Sequence, residues 1–88
     1  MIFDWDEANR NHIAAHKVSP EEVEQVLAND PMDLEFDVVD SEDRYASVGH
    51  TDQLRILFIV WTLRGEAIRL ITAYDAPAAL ARDYLAYR

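Results

Sequence analysis

Four arginines, Arg44, Arg55, Arg64 and Arg69, fall within or at the ends of runs that read as neighbouring strands. Tyr45, Trp61 and Tyr74 stand close to them in the chain. Antiparallel pairing of such strands would bring several guanidinium groups within reach of one anion. A guanidinium meets a phosphate or carboxylate through two parallel hydrogen bonds, and aromatic rings give a nucleobase a surface to stack on. A structural task suits the same residues, because Glu35, Asp37 and Asp43 lie on adjoining runs and opposite charges pair across a sheet. Residue types and spacing leave both open: phosphate-backbone and base binding, or ion pairs internal to the sheet.

Other chemistries find less support. His12 and His16 are four apart on a predicted helix, which is metal-ligand spacing. A zinc-protease helix needs glutamate directly after its first histidine, and Ile13 stands there. No metal site is expected. The absence of cysteine excludes thiolate sites, disulfides and a thiol nucleophile. The two glycines, Gly49 and Gly65, cannot build a phosphate-cradling loop or a dinucleotide fingerprint, so no cofactor is expected either. Ser41 or Ser47 with His50 and Asp52 would supply the residue types of a nucleophilic triad. The glycine-bounded turn that presents such a serine is missing.

Charge is distributed unevenly. The 88-residue chain carries a net charge of −9, yet residues 1–43 hold 13 acids against two bases, and residues 44–88 hold four acids against six arginines. Phosphate neutralisation drives nucleic-acid binding, so an acidic body repels RNA unless its arginines are gathered in one place. Half the residues are hydrophobic, which excludes a disordered chain and fits one small domain over residues 1–88. No stretch reaches the ~20 apolar residues that span a bilayer. The opening Met-Ile-Phe-Asp-Trp-Asp lacks the basic and apolar segments of a secretory signal. The expectation is a cytoplasmic domain without membrane contact.

The elements that must position the arginines follow from caps and periodicity. Asp4 with Glu7, and Ser19 with Pro20 and Glu22, both read as capping boxes that open helices. The first helix is predicted over Trp5 to His16, with Trp5, Ala8, His12 and Ala15 on one face. The second is predicted over Pro20 to Ala28, with Val23, Val26 and Leu27 buried, and ends before Pro31. The period then becomes two. Leu34, Phe36 and Val38 alternate with Asp33, Glu35 and Asp37. A turn at 40–43, a strand from Arg44 to Val48, an apolar central strand over Leu54 to Leu63 and a last strand over Ala67 to Tyr74 follow. Asp75-Ala76-Pro77 starts a final helix carrying Leu80, Tyr84 and Tyr87. The predicted fold class is α+β, in the order helix, helix, three or four antiparallel strands, helix.

These residues resemble a known family. Trp5-Asp6-Glu7-Ala8, His16-Lys17-Val18-Ser19 with Glu21-Glu22, and Asn29-Asp30-Pro31 are similar to the N-terminal half of BrnT-type toxins. Asp43-Arg44-Tyr45, Gly49, Arg55-Ile56-Leu57, Trp61-Thr62-Leu63-Arg64 and Ile68-Arg69-Leu70-Ile71-Thr72-Ala73 continue the match over nearly the whole chain. The resemblance implies a small α+β fold related to RelE-type ribonuclease toxins. It implies a toxin paired with a BrnA-type antitoxin that contributes a ribbon-helix-helix part, with operator DNA bound only through the complex. It also implies metal-free RNA cleavage, in which the ribose 2′-hydroxyl attacks the adjacent phosphate. Arg44, Arg55, Arg64 and Arg69 match the positions that would supply charge, with Arg64 and Arg69 in the strongest family words. Of these, Arg55 goes with Trp61 and Tyr74 to RNA binding, and His50 or Tyr84 would carry protons.

Four positions depart from the family pattern. Tyr74 stands where an arginine is usual, Leu80 where a glutamate is, Ala15 where a lysine is and Lys17 where a glycine is. They define the competing reading, a protein-binding module that keeps the fold and cuts nothing.

Overall fold

The computed structural model describes residues 1–87, with the side chains of all of these except Glu35 and Phe36. The chain runs β1 (Ile2–Phe3), α1 (Glu7–Ala14), α2 (Pro20–Ala28), β2 (Met32–Val39), β3 (Glu42–His50), β4 (Ile56–Arg64), β5 (Ala67–Asp75) and α3 (Ala78–Tyr87). The expected order is corrected in two respects. A strand precedes the helices, and among the described residues the sheet has five strands in the order β1-β5-β4-β3-β2. It is also mixed, because β1 pairs parallel with Ala67 and Ile68 of β5. A two-residue strand shows no alternation, so only its long-range partner reveals it. Asp4 N–H extends the pairing by donating to the Ile68 carbonyl at 2.8 Å.

That pairing also moves the first helix cap. Asp4 is committed to the strand, and Asp6 caps α1 instead. Its carboxylate accepts from Asn9 N–H at 2.8 Å, while the Asn9 side chain accepts from Asp6 N–H at 2.9 Å. The buried residues of α1 are therefore Asn9 and Ile13, not the predicted Ala8, His12 and Ala15 face. The helix closes in a Schellman-type turn. Val18 N–H reaches the Ile13 carbonyl, Lys17 N–H reaches that of Ala14, and Lys17 sits at φ 59°. Only glycine takes that conformation without steric cost.

The second helix starts where its sequence places it. Ser19 accepts from Glu22 N–H, and Glu22 accepts from Ser19 N–H. Ser19→Ala should cost about 1 kcal/mol through the lost cap. Thermal unfolding followed by circular dichroism should show a midpoint lower by ~4–8 °C, and an unchanged midpoint would refute the cap's contribution.

Sheet alternation divides the layers. Leu57 and Ile59 of β4, with Leu70 and Ala73 of β5, pack against Ile13, Val18, Val23 and Val26, so α1 and α2 cover one face. Leu70 and Ala73 share that face despite their odd separation because the β4–β5 register shifts between Val60 and Trp61, which inserts one residue into β5. Gly49 faces α2, where an added Cβ would come 3.0 Å from Val26 Cγ1. Residues of the opposite parity, Val48 and His50 among them, face α3, whose fully buried Tyr84 ring lies 6.3 Å from that of His50. Phe58 and Val60 lie on this second face and are only partly buried.

Both hairpins around the centre use two-residue turns. Asp40 and Ser41, both at positive φ, join β2 to β3. Gly65, at φ 60°, and Glu66 join β4 to β5. The inward expectation for Phe36 and the outward one for Glu35 concern side chains outside the described residues. Val38, expected inside, is 55% exposed. It lies on the edge strand, beyond the reach of the helices.

Candidate functional site

The strand register sorts the sequence-predicted residues into two groups at opposite ends of the sheet. His50 pairs with Ile56 at the start of β4, and Arg64 closes that strand. At ~3.3 Å per residue their backbones lie about 25 Å apart. His50 and Tyr84 share one end with Arg55 and Tyr74. Arg44, Arg64 and Arg69 share the other, at the β4–β5 hairpin.

At the hairpin end, Thr62 is the midpoint. Arg69 pairs with it across β4–β5, and Arg44 comes level with it on the other side, next to the Tyr45–Trp61 pair. Two interstrand spacings place the Arg44 and Arg69 backbones about 10 Å apart. Arg64 follows two residues beyond Thr62 on β4.

The three guanidinium groups differ in their partners. Arg44 Nε bonds Glu42 Oε1 at 3.2 Å. Arg69 is deeper, with 17% of its side chain exposed, and holds Asp6 Oδ2 at 2.7 Å and Asp4 Oδ2 at 3.6 Å. Asn9 N–H and then Arg69 hold the Asp6 carboxyl below the ordinary range. The bond to Asp6 in turn raises Arg69 above its usual value. Arg64 is exposed, and among the described residues no carboxylate pairs with it.

At the other end Arg55 is fully engaged. Its Nε donates to Asp75 Oδ1 at 2.7 Å, Nη1 to the Lys17 carbonyl at 2.7 Å and to both Glu22 oxygens, and Nη2 to the His16 carbonyl at 3.3 Å. Those bonds tie the turn after α1, the start of α2 and the end of β5 together. Burial works against the charge of Glu22, but Ser19 N–H and Arg55 outweigh it and hold its carboxyl low. Arg55 itself is raised chiefly by Asp75, whose carboxyl it lowers in return. Tyr74 lies between rings, 5.2 Å from Phe58 and 5.7 Å from His16. His12 Nε2 stands 3.0 Å from Thr72 Oγ1.

Trp61 is partly buried. It packs against the core, stacks on Tyr45 at 4.6 Å, and donates from Nε1 to Ser47 Oγ.

Sequence reasoning missed the partners of Arg69. It set the sheet acids Glu35, Asp37 and Asp43 against the arginines, whereas Asp4 and Asp6 reach Arg69 because β1 docks on β5. The one signal for this was the density of acids around Trp5, which reads equally well as a helix cap.

A hollow of about 200 Å³ lies beside the hairpin end on the α3 side of the sheet, lined by Asp37, Val39, Arg44, Tyr45, Ala46, Phe58 and Val60. Sequence reasoning missed this too, since it needs three strands in register. Among the described residues no helix is long and apolar enough to cross a membrane.

No curated protein matches the chain. A family model described as "Ribonuclease toxin, BrnT, of type II toxin-antitoxin system" matches residues 5–79. The match takes in β1's junction with α1, both N-terminal helices, the whole of β2 to β5 and the start of α3. The chain therefore belongs to the BrnT family of type II ribonuclease toxins.

Proposed function

We propose that this toxin cleaves RNA without a metal, by attack of a ribose 2′-hydroxyl on the adjacent phosphate, at the hairpin end of its sheet. The observation that carries the reading is the gathering of Arg44, Arg64 and Arg69 around Thr62, with Arg64 exposed and unpaired among the described residues. The attack forms a phosphorane that bears more negative charge than the ground-state phosphate. Fixed cations aimed at that charge lower the barrier. Arg64 supplies the accessible cation, and Arg69 a second one held rigid by Asp4 and Asp6. His50 and Tyr84 stand about 25 Å along the sheet from Arg64. Water therefore takes the 2′-hydroxyl proton and returns one to the 5′-oxygen as the P–O5′ bond breaks, leaving a 2′,3′-cyclic phosphate and a 5′-hydroxyl.

A type II toxin has an antitoxin partner. We propose that it is of the BrnA type, with a ribbon-helix-helix part, and that a cationic segment of it docks on the acidic surface of residues 1–43. Operator DNA is then met only by the complex, and the toxin acts in the cytoplasm. The test is RNA cleavage by the antitoxin-free chain in EDTA, beside the Arg64→Ala variant. Cleavage by the parent with loss in the variant is the expected result. A folded parent that cuts nothing would overturn the ribonuclease reading in favour of a binding module that keeps the fold.

A further inference from the structure

Asp37 and Arg44 are direct cross-strand partners in the β2–β3 register. Opposite charges so placed ordinarily pair, but these two do not. Arg44 turns to Glu42 on its own strand, and Asp37 Oδ1 accepts from the neighbouring Val38 N–H at 2.8 Å. Both residues line the hollow of about 200 Å³, over an apolar floor of Ala46, Phe58 and Val60. That volume is below the ~300–1,000 Å³ of pockets that enclose a whole small ligand. It has room for one flat ring system.

We infer that this hollow holds a guanine base of the RNA substrate. The inference rests on the ribonuclease reading for its biological meaning, and on the geometry for its chemistry. The floor gives a base an apolar surface that water otherwise covers. The rim then selects among bases. An ionised carboxylate only accepts hydrogen bonds, while a guanidinium only donates them. Guanine presents two donors, N1–H and N2–H₂, beside two acceptors, O6 and N7. Asp37 matches the donors, and the Arg44 nitrogens not bound to Glu42 match the acceptors. Adenine, cytosine and uracil offer no adjacent donor pair to a carboxylate. Arg44 also belongs to the hairpin-end group, so a base in the hollow is continuous with a phosphate at Arg64.

The test is an NMR titration of the full chain with guanosine, adenosine, cytidine and uridine monophosphates, run beside the EDTA cleavage assay. Guanosine monophosphate should move the Ala46, Phe58 and Val60 amides and bind at least about tenfold tighter than the other three. Asp37→Asn, at an exposed position, should remove that preference while leaving the fold unchanged. A second variant, Ala46→Leu, should fill the hollow and abolish the shifts. Equal binding of all four nucleotides, or no shift at these amides, would overturn the guanine site. So would shifts produced by a cationic antitoxin peptide but by no nucleotide, which would give the hollow to the antitoxin. Failure of cleavage with guanine-selective shifts intact would sink the ribonuclease reading alone.

Discussion

Arg55→Met should lower the melting midpoint by roughly 10–20 °C, the largest stability effect expected of any single surface-reaching residue here. The guanidinium bonds two carboxylates and two main-chain carbonyls drawn from three separate elements. Hydrogen bonds to charged groups contribute ~1.5–3 kcal/mol each when well sheltered. Asp75 is 69% exposed and adds little. The larger share comes from Glu22, 28% exposed, and from the His16 and Lys17 carbonyls. A total of about 2–3 kcal/mol follows.

The pH dependence has a definite sign. Glu22 and Asp75 have lowered pKa values in the folded state. Their stabilisation is complete above the ordinary carboxylate range and is lost as pH falls through the lowered values. The gap between wild type and variant should therefore be wide at pH 7 and narrow below about pH 4 to the part carried by the His16 and Lys17 carbonyls. Melting curves across that range check it, and a gap independent of pH would show that Arg55 acts through the two carbonyls and packing, without the carboxylates. Arg55→Lys should recover only part of the loss, because an ammonium cannot reproduce the fork that spans Asp75, Glu22 and the two carbonyls.

The same residue explains what was and was not legible in the sequence. Ser19-Pro20-Glu21-Glu22 announced α2 because a capping box is local: every partner lies within three residues. The apolar run at Leu54 to Leu63 announced a central strand, although β4 begins only at Ile56, Leu54 is exposed in the turn before it, and of the apolar residues only Leu57 and Ile59 are fully buried. Asp4-Trp5-Asp6-Glu7 misled because Asp4 and Glu7 have the spacing of a capping box, while the box that forms is Asp6 with Asn9. The choice of Asp6 was made by β1 pairing with a strand more than sixty residues away in the chain. The arginines were recognisable as a set, but their division was not. Arg55 and Arg64 look alike as residues at the two ends of one apolar run. Only the folded structure shows one engaged in bonds to the turn after α1, to α2 and to β5, and the other at an open hairpin. Lys17 carries a similar lesson. Its positive φ accounts for the glycine the resemblance leads one to expect there, and Arg55 supports the turn through the carbonyls on either side.

Arg64→Ala should lower RNA cleavage by ~10²–10³ while leaving the melting midpoint in place. Removing one preorganised cation from a developing phosphorane has that size, whereas an exposed residue without partners among the described residues contributes within ~0.5 kcal/mol to folding. Arg69→Ala should behave differently. Asp6 uses one carboxylate both to cap α1 and to hold Arg69, so losing the guanidinium loosens the helix start and leaves Asp4 and Asp6 facing each other uncompensated. Cleavage and stability should fall together. Rates normalised to the folded fraction, at a temperature well below both midpoints, separate the two causes. If Arg69 stabilises the phosphorane, the normalised rate stays low, and Arg69→Lys restores it only in part because a point charge replaces a fork. If Arg69 merely anchors α1, the normalised rate returns to the parent value. An Arg64 variant that cleaves at the parent rate would remove the hairpin end from the chemistry, whatever Arg69 does, because Arg64 is the cation there that no carboxylate among the described residues already holds.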